Sequence, residues 1–250
     1  RIGRKGGVPS QVQPLALCID GNGIFSKFAP EYISQSRTQG GHGIACLRLC
    51  LENGARIAGH VTQFEPDKGF SHGEALDHIR DRLCLIQMSN GDGNAHMVQV
   101  KKGQIEAPNL CRMLADPNVL KLFHFGRFDI AAMHNAFGVL TEPVYCTKIA
   151  SKMVRTYTDR HGLRNLLQEL LKVDISKFQQ MSDWGAETLT KAQLDYAASD
   201  VLHLHRLRDR LNELLVREGR MELAQSCFDF LPSRALLDLK GWPETDIFAH

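Results

Sequence analysis

Asp129 stands four residues after the apolar run Val119 to Phe125, at the start of a segment with helical character that Gly138 closes. A carboxylate in the first turn of such a helix faces the crevice beyond the strand's carboxyl end, where open α/β sheets bind ligands. Acids are also common at helix starts simply because the helix dipole favours them. Tyr196 and Asp200 are four apart, so on a helix they project from one face. That face adjoins an apolar stripe, and a carboxylate there needs a partner, because an unpaired buried charge is costly. A divalent cation would serve. So would a hydrogen bond from the tyrosine, with no ligand at all.

The elements that must position these residues are legible from about Arg80 onward. Leu83 to Met88 reads as a strand, Ser89 to Asn94 as a tight turn and Ala95 to Val100 as the returning strand of a hairpin. A helix over 107–115 is broken by Asp116-Pro117-Asn118. The strand 119–125 is followed by a helix over 127–137, a short extended Val144-Tyr145, and helices over 147–154 and 163–171. The longest predicted helix starts at Thr190, with Gln193 three residues on as in a capping box. Its apolar positions Leu194, Ala197, Val201, Leu204, Leu207, Leu211 and Leu214 step by three or four. Strands early and helices late predict an α/β domain with a mixed sheet.

Residues 1–73 differ in character, holding 12 of the 21 glycines and little sustained periodicity. Leu15 to Asp20 reads as a strand ending in a carboxylate, Ile44 to Leu51 as strand or helix, and Ser34 to Gly43 as loop. The expected division is an atypical segment over 1–75, poorly packed or peripheral, and a catalytic domain over 76–250. At 43% hydrophobic and 23% charged residues, the chain has the composition of a folded globular protein, which excludes whole-chain disorder. A formal net charge of +2 gives no bulk attraction to nucleic acid, so such binding requires a local patch. The seven cysteines are scattered without a C-x-x-C pair, which argues against a disulfide framework and a structural zinc. Reduced thiols, no apolar run of about 18 residues and no secretory leader lead to the expectation of a cytoplasmic protein without membrane contact.

Phe123-His124-Phe125-Gly126-Arg127-Phe128-Asp129 resembles the second motif of the DEDDy 3′–5′ exonucleases of the ribonuclease D type. Tyr196-Ala197-Ala198-Ser199-Asp200 resembles their third motif, Y-x-x-x-D, and Ser182-Asp183-Trp184 upstream also fits. Arg80 to Cys84, Cys146 to Lys152, Arg155 to Leu163 and the ending Asp246 to His250 are similar to the bacterial nanoRNase C group. The resemblance covers roughly residues 79–250. It implies a ribonuclease H-like 3′–5′ exonuclease fold, a mixed sheet flanked by helices. It also implies hydrolysis by two Mg²⁺ or Mn²⁺ ions about 3.5–4 Å apart, clamping the attacking and leaving oxygens. Asp129 and Asp200 would be metal ligands and Tyr196 would orient the attacking water. The implied substrate is short single-stranded RNA, down to dinucleotides, and the implied assembly a ring-shaped homo-oligomer, with an octamer as one size. The apolar stretch Phe228 to Pro232, which a monomer must cover by itself, points the same way.

One motif departs from the pattern. The family's first motif, D-x-E, falls on Phe70 and His72 when the match is extended back without gaps, and neither supplies an anionic oxygen. Asp20, in Asp20-Gly21-Asn22, and Glu74 are the alternative donors. A fused or frameshifted stretch upstream of residue 75 is the third explanation and fits the glycine-rich, aperiodic sequence best. Lys148, Lys152, Arg155, Arg160 and His161, with Tyr157 among them, fall within fourteen positions. By spacing alone this is a solvated helix face and a loop. The resemblance makes Lys152, Arg155, Tyr157, Arg160 and His161, with His124, the residues that meet phosphates and bases. Two classes follow: an active 3′–5′ exoribonuclease weakened by the missing motif, or a catalytically dead relative that still binds RNA or a partner.

Overall fold

The computed structural model describes residues 82–175 and 182–249, together with the backbone of three strands upstream of them. Those three are β1 (Cys18–Asp20), β2 (Gly23–Phe25) and β3 (Arg56–Glu65). β1 and β2 form a two-stranded antiparallel hairpin of their own. β3 joins β4 (Arg82–Ser89), β5 (His96–Gln99), β6 (Leu120–Phe123) and β7 (Val144–Cys146) in a five-stranded mixed sheet of order β5-β4-β3-β6-β7. β4 runs antiparallel to both β3 and β5, while β6 lies parallel to both β3 and β7. The parallel half reads as continuous apolar sequence because both of its faces are covered: Leu122, Phe123, Val144 and Cys146 are all buried.

Helices α1 (Pro108–Leu114), α2 (Gly126–Phe137), α3 (Thr147–Val154) and α4 (Leu163–Leu166, continued by one π-turn over Leu167–Leu171) alternate with the later strands. Pro108 opens α1 where its missing N–H is not needed. Gly138 closes α2 in the left-handed conformation, at φ 68°. α2 packs on β3, β4, β6 and β7. The mixed sheet flanked by helices is the architecture expected from the sequence.

Three expectations are corrected. The helix starting at Thr190 is two helices, α5 (Lys191–Ser199) and α6 (Leu204–Arg217). The Thr190–Gln193 capping box is present, with the Gln193 N–H donating to Thr190 Oγ1 and the Thr190 N–H to Gln193 Oε1. At the other end the Val201 and Leu204 N–H groups bond three residues back, which tightens the backbone over 200–203 and re-aims α6. The apolar stripe runs through this break, so periodicity did not show it. Second, Phe228 to Pro232 belongs to the longest helix, α7 (Met221–Leu239), and Phe228, Leu231 and Pro232 are buried by this chain itself. Phe228 packs on Tyr145 at 4.4 Å between ring centroids. Phe230 is the one apolar residue of that stretch left exposed, so most of the apolar argument for an oligomer disappears.

Third, β3 supplies the centre of the sheet from within residues 1–75, so that stretch is not peripheral at Arg56–Glu65. The strand reads Arg-Ile-Ala-Gly-His-Val-Thr-Gln-Phe-Glu, too polar and irregular to declare itself. Register shifts at Val61, Gln63 and Phe64 further break any alternation. Ile44 to Leu51 and Ser34 to Gly43 lie outside the described residues.

Lys121 in β6 is fully buried. Its ammonium donates to the carbonyls of Asp116 at 2.7 Å and Glu142 at 2.5 Å. Burial pushes it down to about 8, against the opposing pull of Asp116 and Glu142. The native state therefore releases this proton before the unfolded chain does. Between pH 8 and the ordinary lysine value the unfolded chain binds more protons, and stability attributable to Lys121 rises with pH. Urea unfolding of the wild type and Lys121→Met should show a stability difference that moves in the wild type's favour from pH 8 to pH 10. A flat difference would mean that Lys121 titrates normally.

Candidate active site

Asp129 is placed by a sharp turn at the carboxyl end of β6. After Phe123 and His124, Phe125 takes a left-handed conformation, φ 68° and ψ 38°, and α2 starts at Gly126. A Cβ on Gly126 would lie 2.8 Å from Phe123 Cβ, so only glycine lets the helix leave the strand this abruptly. A left-handed non-glycine residue costs roughly 1–2 kcal/mol, so the turn is strained. It brings Asp129 into the first turn of α2, 1% exposed, where the positive end of the helix dipole favours its charge.

Asp200 caps the carboxyl end of α5 and is 7% exposed. α5 packs on β4 and β5, and α6 on β3 and β6, so Asp200 sits where the chain crosses from one half of the sheet to the other. Tyr196, one turn earlier, is half-buried, with its ring 6.1 Å from that of buried Trp184. Burial, then the charge of Asp200, push the phenol up to about 12, so it is a proton donor at neutral pH. Asp129 and Asp200 are thus both buried, and Tyr196, protonated at neutral pH, stands one turn before Asp200.

Buried carboxylates supply hard anionic oxygens, the donor type that Mg²⁺ and Mn²⁺ prefer, and in that respect Asp129 and Asp200 fit such an ion. Among the described residues, no group of three or more His, Cys, Asp or Glu is close enough together to hold a metal. Further ligands must come from elsewhere in the chain or from water. Phe70, His72 and Glu74 lie outside the described residues, as does the side chain of Asp20, whose backbone belongs to the separate β1–β2 hairpin. β3, which runs alongside β6 toward this end of the sheet, contains a single acid, Glu65, at its last position, opposite Arg82.

His124 is oriented by α3. The Thr147 hydroxyl donates to the Phe123 carbonyl at 3.1 Å, so its oxygen accepts from His124 Nδ1 at 2.9 Å. This sets the neutral ring with its proton on Nδ1 and its lone pair on Nε2. Thr147 therefore couples the start of α3 to the motif that carries Asp129. Thr147 lies within the Cys146 to Lys152 segment that carries part of the resemblance, but its spacing gave it no role.

The basic segment divides in two. Lys148, Lys152, Thr156, Thr158, Asp159, His161 and Gly162 line an open cavity of about 610 Å³. Arg160 and Tyr157 are exposed beside it. Burial, then Arg155 and Lys152, push the His161 imidazole down, and its Nδ1 lies 2.8 Å from Ser151 Oγ. Arg155 does not line this cavity, which corrects the expectation that it meets substrate. It is 1% exposed and its guanidinium is consumed by the protein. It forms a two-bond fork with Glu169 and donates to Ser151 Oγ and to the Arg160 carbonyl at 2.7 Å. Glu169 also accepts from the Tyr157 hydroxyl at 2.8 Å. Its carboxyl is held below the ordinary value chiefly by Arg155. Arg155 thus braces the loop that presents its basic neighbours. Charge count alone does not distinguish a brace from a contact.

Arg127, inside the same motif as Asp129, is likewise structural. Its guanidinium pairs with buried Asp238 at 2.5 and 2.6 Å, tying α2 to α7.

A family model described as 3′–5′ exonuclease matches residues 70–216. Ribonuclease D of Gluconacetobacter diazotrophicus is 37% identical over 155 residues, which are 60% of this chain and 39% of that protein. Ribonuclease D of Granulibacter bethesdensis is 34% identical over 56% of this chain and 35% of its own length. The chain thus spans little more than a third of these curated relatives. NrnC of Brucella melitensis superposes with a TM-score of 0.72 at 54% identity, covering 78% of this chain and 90% of that one. It has also been solved with bound Mg²⁺ and bound to pGG. These likenesses bear out the resemblance drawn from the motifs and the ribonuclease H-like fold expected with it.

Arg155→Lys keeps the charge but loses the fork and most of the four hydrogen bonds. The expected loss is about 2 kcal/mol or more of unfolding free energy, measured by urea denaturation. A contact residue facing solvent would leave stability within about 0.5 kcal/mol and weaken only RNA binding.

Proposed function

The chain belongs to the 3′–5′ exonuclease family, and on that premise we propose that it hydrolyses short single-stranded RNA, down to dinucleotides, from the 3′ end. The observation that carries this reading is the buried pair Asp129 and Asp200 with protonated Tyr196 beside it. NrnC, at about half identity over most of its length, was solved bound to pGG, which supports a dinucleotide-sized ligand.

Asp129 and Asp200 are the residues that would hold Mg²⁺ or Mn²⁺. When bound, such ions supply Lewis-acid stabilisation of the attacking and leaving oxygens. Tyr196 keeps its proton and orients the attacking water by hydrogen bonding, since a phenol pushed up to about 12 cannot act as a base near neutrality. His124, held through Nδ1 by Thr147, directs Nε2 as an acceptor in its neutral form. Lys152 and His161, which line the cavity, and exposed Arg160 beside it meet phosphate oxygens, and the approach of an anion favours the protonated imidazole.

The weak point is the motif at residues 70 and 72. Losing an electrostatic stabiliser of this kind commonly costs about 10²-fold or more in rate. The test is hydrolysis of a 5′-labelled dinucleotide RNA with Mn²⁺ and with EDTA by this chain, by Asp200→Ala, and by the double variant Phe70→Asp, His72→Glu. The expected outcome is slow, EDTA-sensitive cleavage by the unmodified chain, none by Asp200→Ala, and at least about 100-fold faster cleavage by the double variant. Equal rates for the unmodified chain and the double variant would move the missing ligand to Asp20 or Glu74. No cleavage by any folded form would overturn the exonuclease reading of this chain.

We also propose a homo-oligomer. On the surface near the C-terminus Phe230 and Phe248 face each other at 5.8 Å, and both are exposed, as is Trp242. Light scattering at micromolar concentration should read a multiple of the 28.0 kDa chain, and a monomeric mass would refute it.

A further inference from the structure

Two non-glycine residues among those described have left-handed backbone, Phe125 and Lys172. Lys172 terminates the π-turn after α4, a place where that conformation is ordinary. Phe125 is at the N-terminus of α2, where extended backbone is the rule. The strain at Phe125 is not compensated by burial of its side chain, which is 46% exposed. An exposed aromatic ring held in a strained conformation four residues before a buried catalytic carboxylate calls for a functional explanation.

The neighbour of the ring supplies one. Lys148 Nζ lies 4.0 Å from the Phe125 ring centroid, in cation–π contact, and Lys148 also lines the cavity with Lys152 and His161. An apolar π-face and an open cavity lined by two lysines and a histidine are thus joined through one lysine. Proteins that hold single-stranded RNA pair these two features, stacking a base on an aromatic ring while cations follow the backbone.

The geometry points to Phe125 as the stacking platform for a substrate base, with Lys148 linking that base to the phosphate subsite of the cavity. The inference rests on the reading of this chain as a nuclease of short RNA and adds to it the residue that recognises the base. Lys148 keeps the ring in place before substrate arrives, so the platform is formed in the free protein. Stacking is tolerant of base identity, because every base has a π-face, so Phe125 would give affinity for nucleotides over bare sugar-phosphate and little preference among bases.

The test uses two RNA dinucleotides with hydrolysis-resistant linkages, one intact and one abasic, binding in Mg²⁺ to the wild type, Phe125→Gly and Phe125→Tyr. Glycine adopts φ 68° without strain, so Phe125→Gly should fold, which a thermal melt checks. The expected result is that Phe125→Gly binds the intact dinucleotide about 10-fold more weakly and the abasic one unchanged, while Phe125→Tyr retains wild-type affinity for both. Unchanged binding of the intact dinucleotide by Phe125→Gly would overturn the assignment, as would equal loss for both ligands. Unchanged binding together with a lower oligomeric mass would show that the ring packs against a second copy instead. If the wild type binds neither ligand, the reading as a nuclease of short RNA fails first, a result separable from failure of the platform alone.

Discussion

Burying Asp129 and Asp200 sets the electrostatic condition to which the rest of the site answers. Two carboxylates removed from water are stable only if positive partial charge, donated hydrogen bonds or a cation compensates them. Asp129 has the dipole of α2, which exists because Gly126 lets the helix begin directly behind β6. Asp200 has Tyr196, whose phenol it helps to keep protonated. Hard divalent ions suit anionic oxygens of this kind.

A second layer holds the first in place. Thr147 joins α3 to the turn at Phe123 and His124, and Ser151, one turn later, meets both Arg155 and His161. Arg155 fixes the loop from the inside through Glu169 and the Arg160 carbonyl. The result is a basic cavity whose outer residues stay exposed while its charge is kept open by a buried guanidinium. Arg127 performs a similar service between α2 and α7. Two arginines in family-like motifs thus work as braces, while Lys148, Lys152 and His161 line the cavity.

The break between α5 and α6 shows how the fold turns a regular sequence pattern to functional use. A continuous helix over Thr190 to Leu214 would keep a straight apolar stripe. The turn at 200–203 instead lets α5 pack on β4 and β5 while α6 packs on β3 and β6. Asp200 occupies the hinge of that change of direction.

Local sequence determined much of this protein. The hairpin of β4 and β5, the helices α1 to α4, the capping box at Thr190 and the placement of Asp129 in the first turn of a helix and of Tyr196 one turn before Asp200 follow from turn residues, apolar spacing and two motifs, all short-range signals. The mixed sheet followed from their order. What the tertiary structure decided are the long-range matters. β3 became the central strand because β4 and β6 offered it edges, although its own alternation is poor. α7 buried Phe228, Leu231 and Pro232 against partners distant in sequence, among them Tyr145. Whether Arg155 serves ligand or fold depends on Glu169, fourteen residues away, and on the path of the intervening loop. Phe125 takes a backbone conformation that no residue type announces, imposed by β6 and α2 meeting at Gly126. Spacing along a chain reports which face a side chain takes, whereas burial and partnership arise only when separate elements pack.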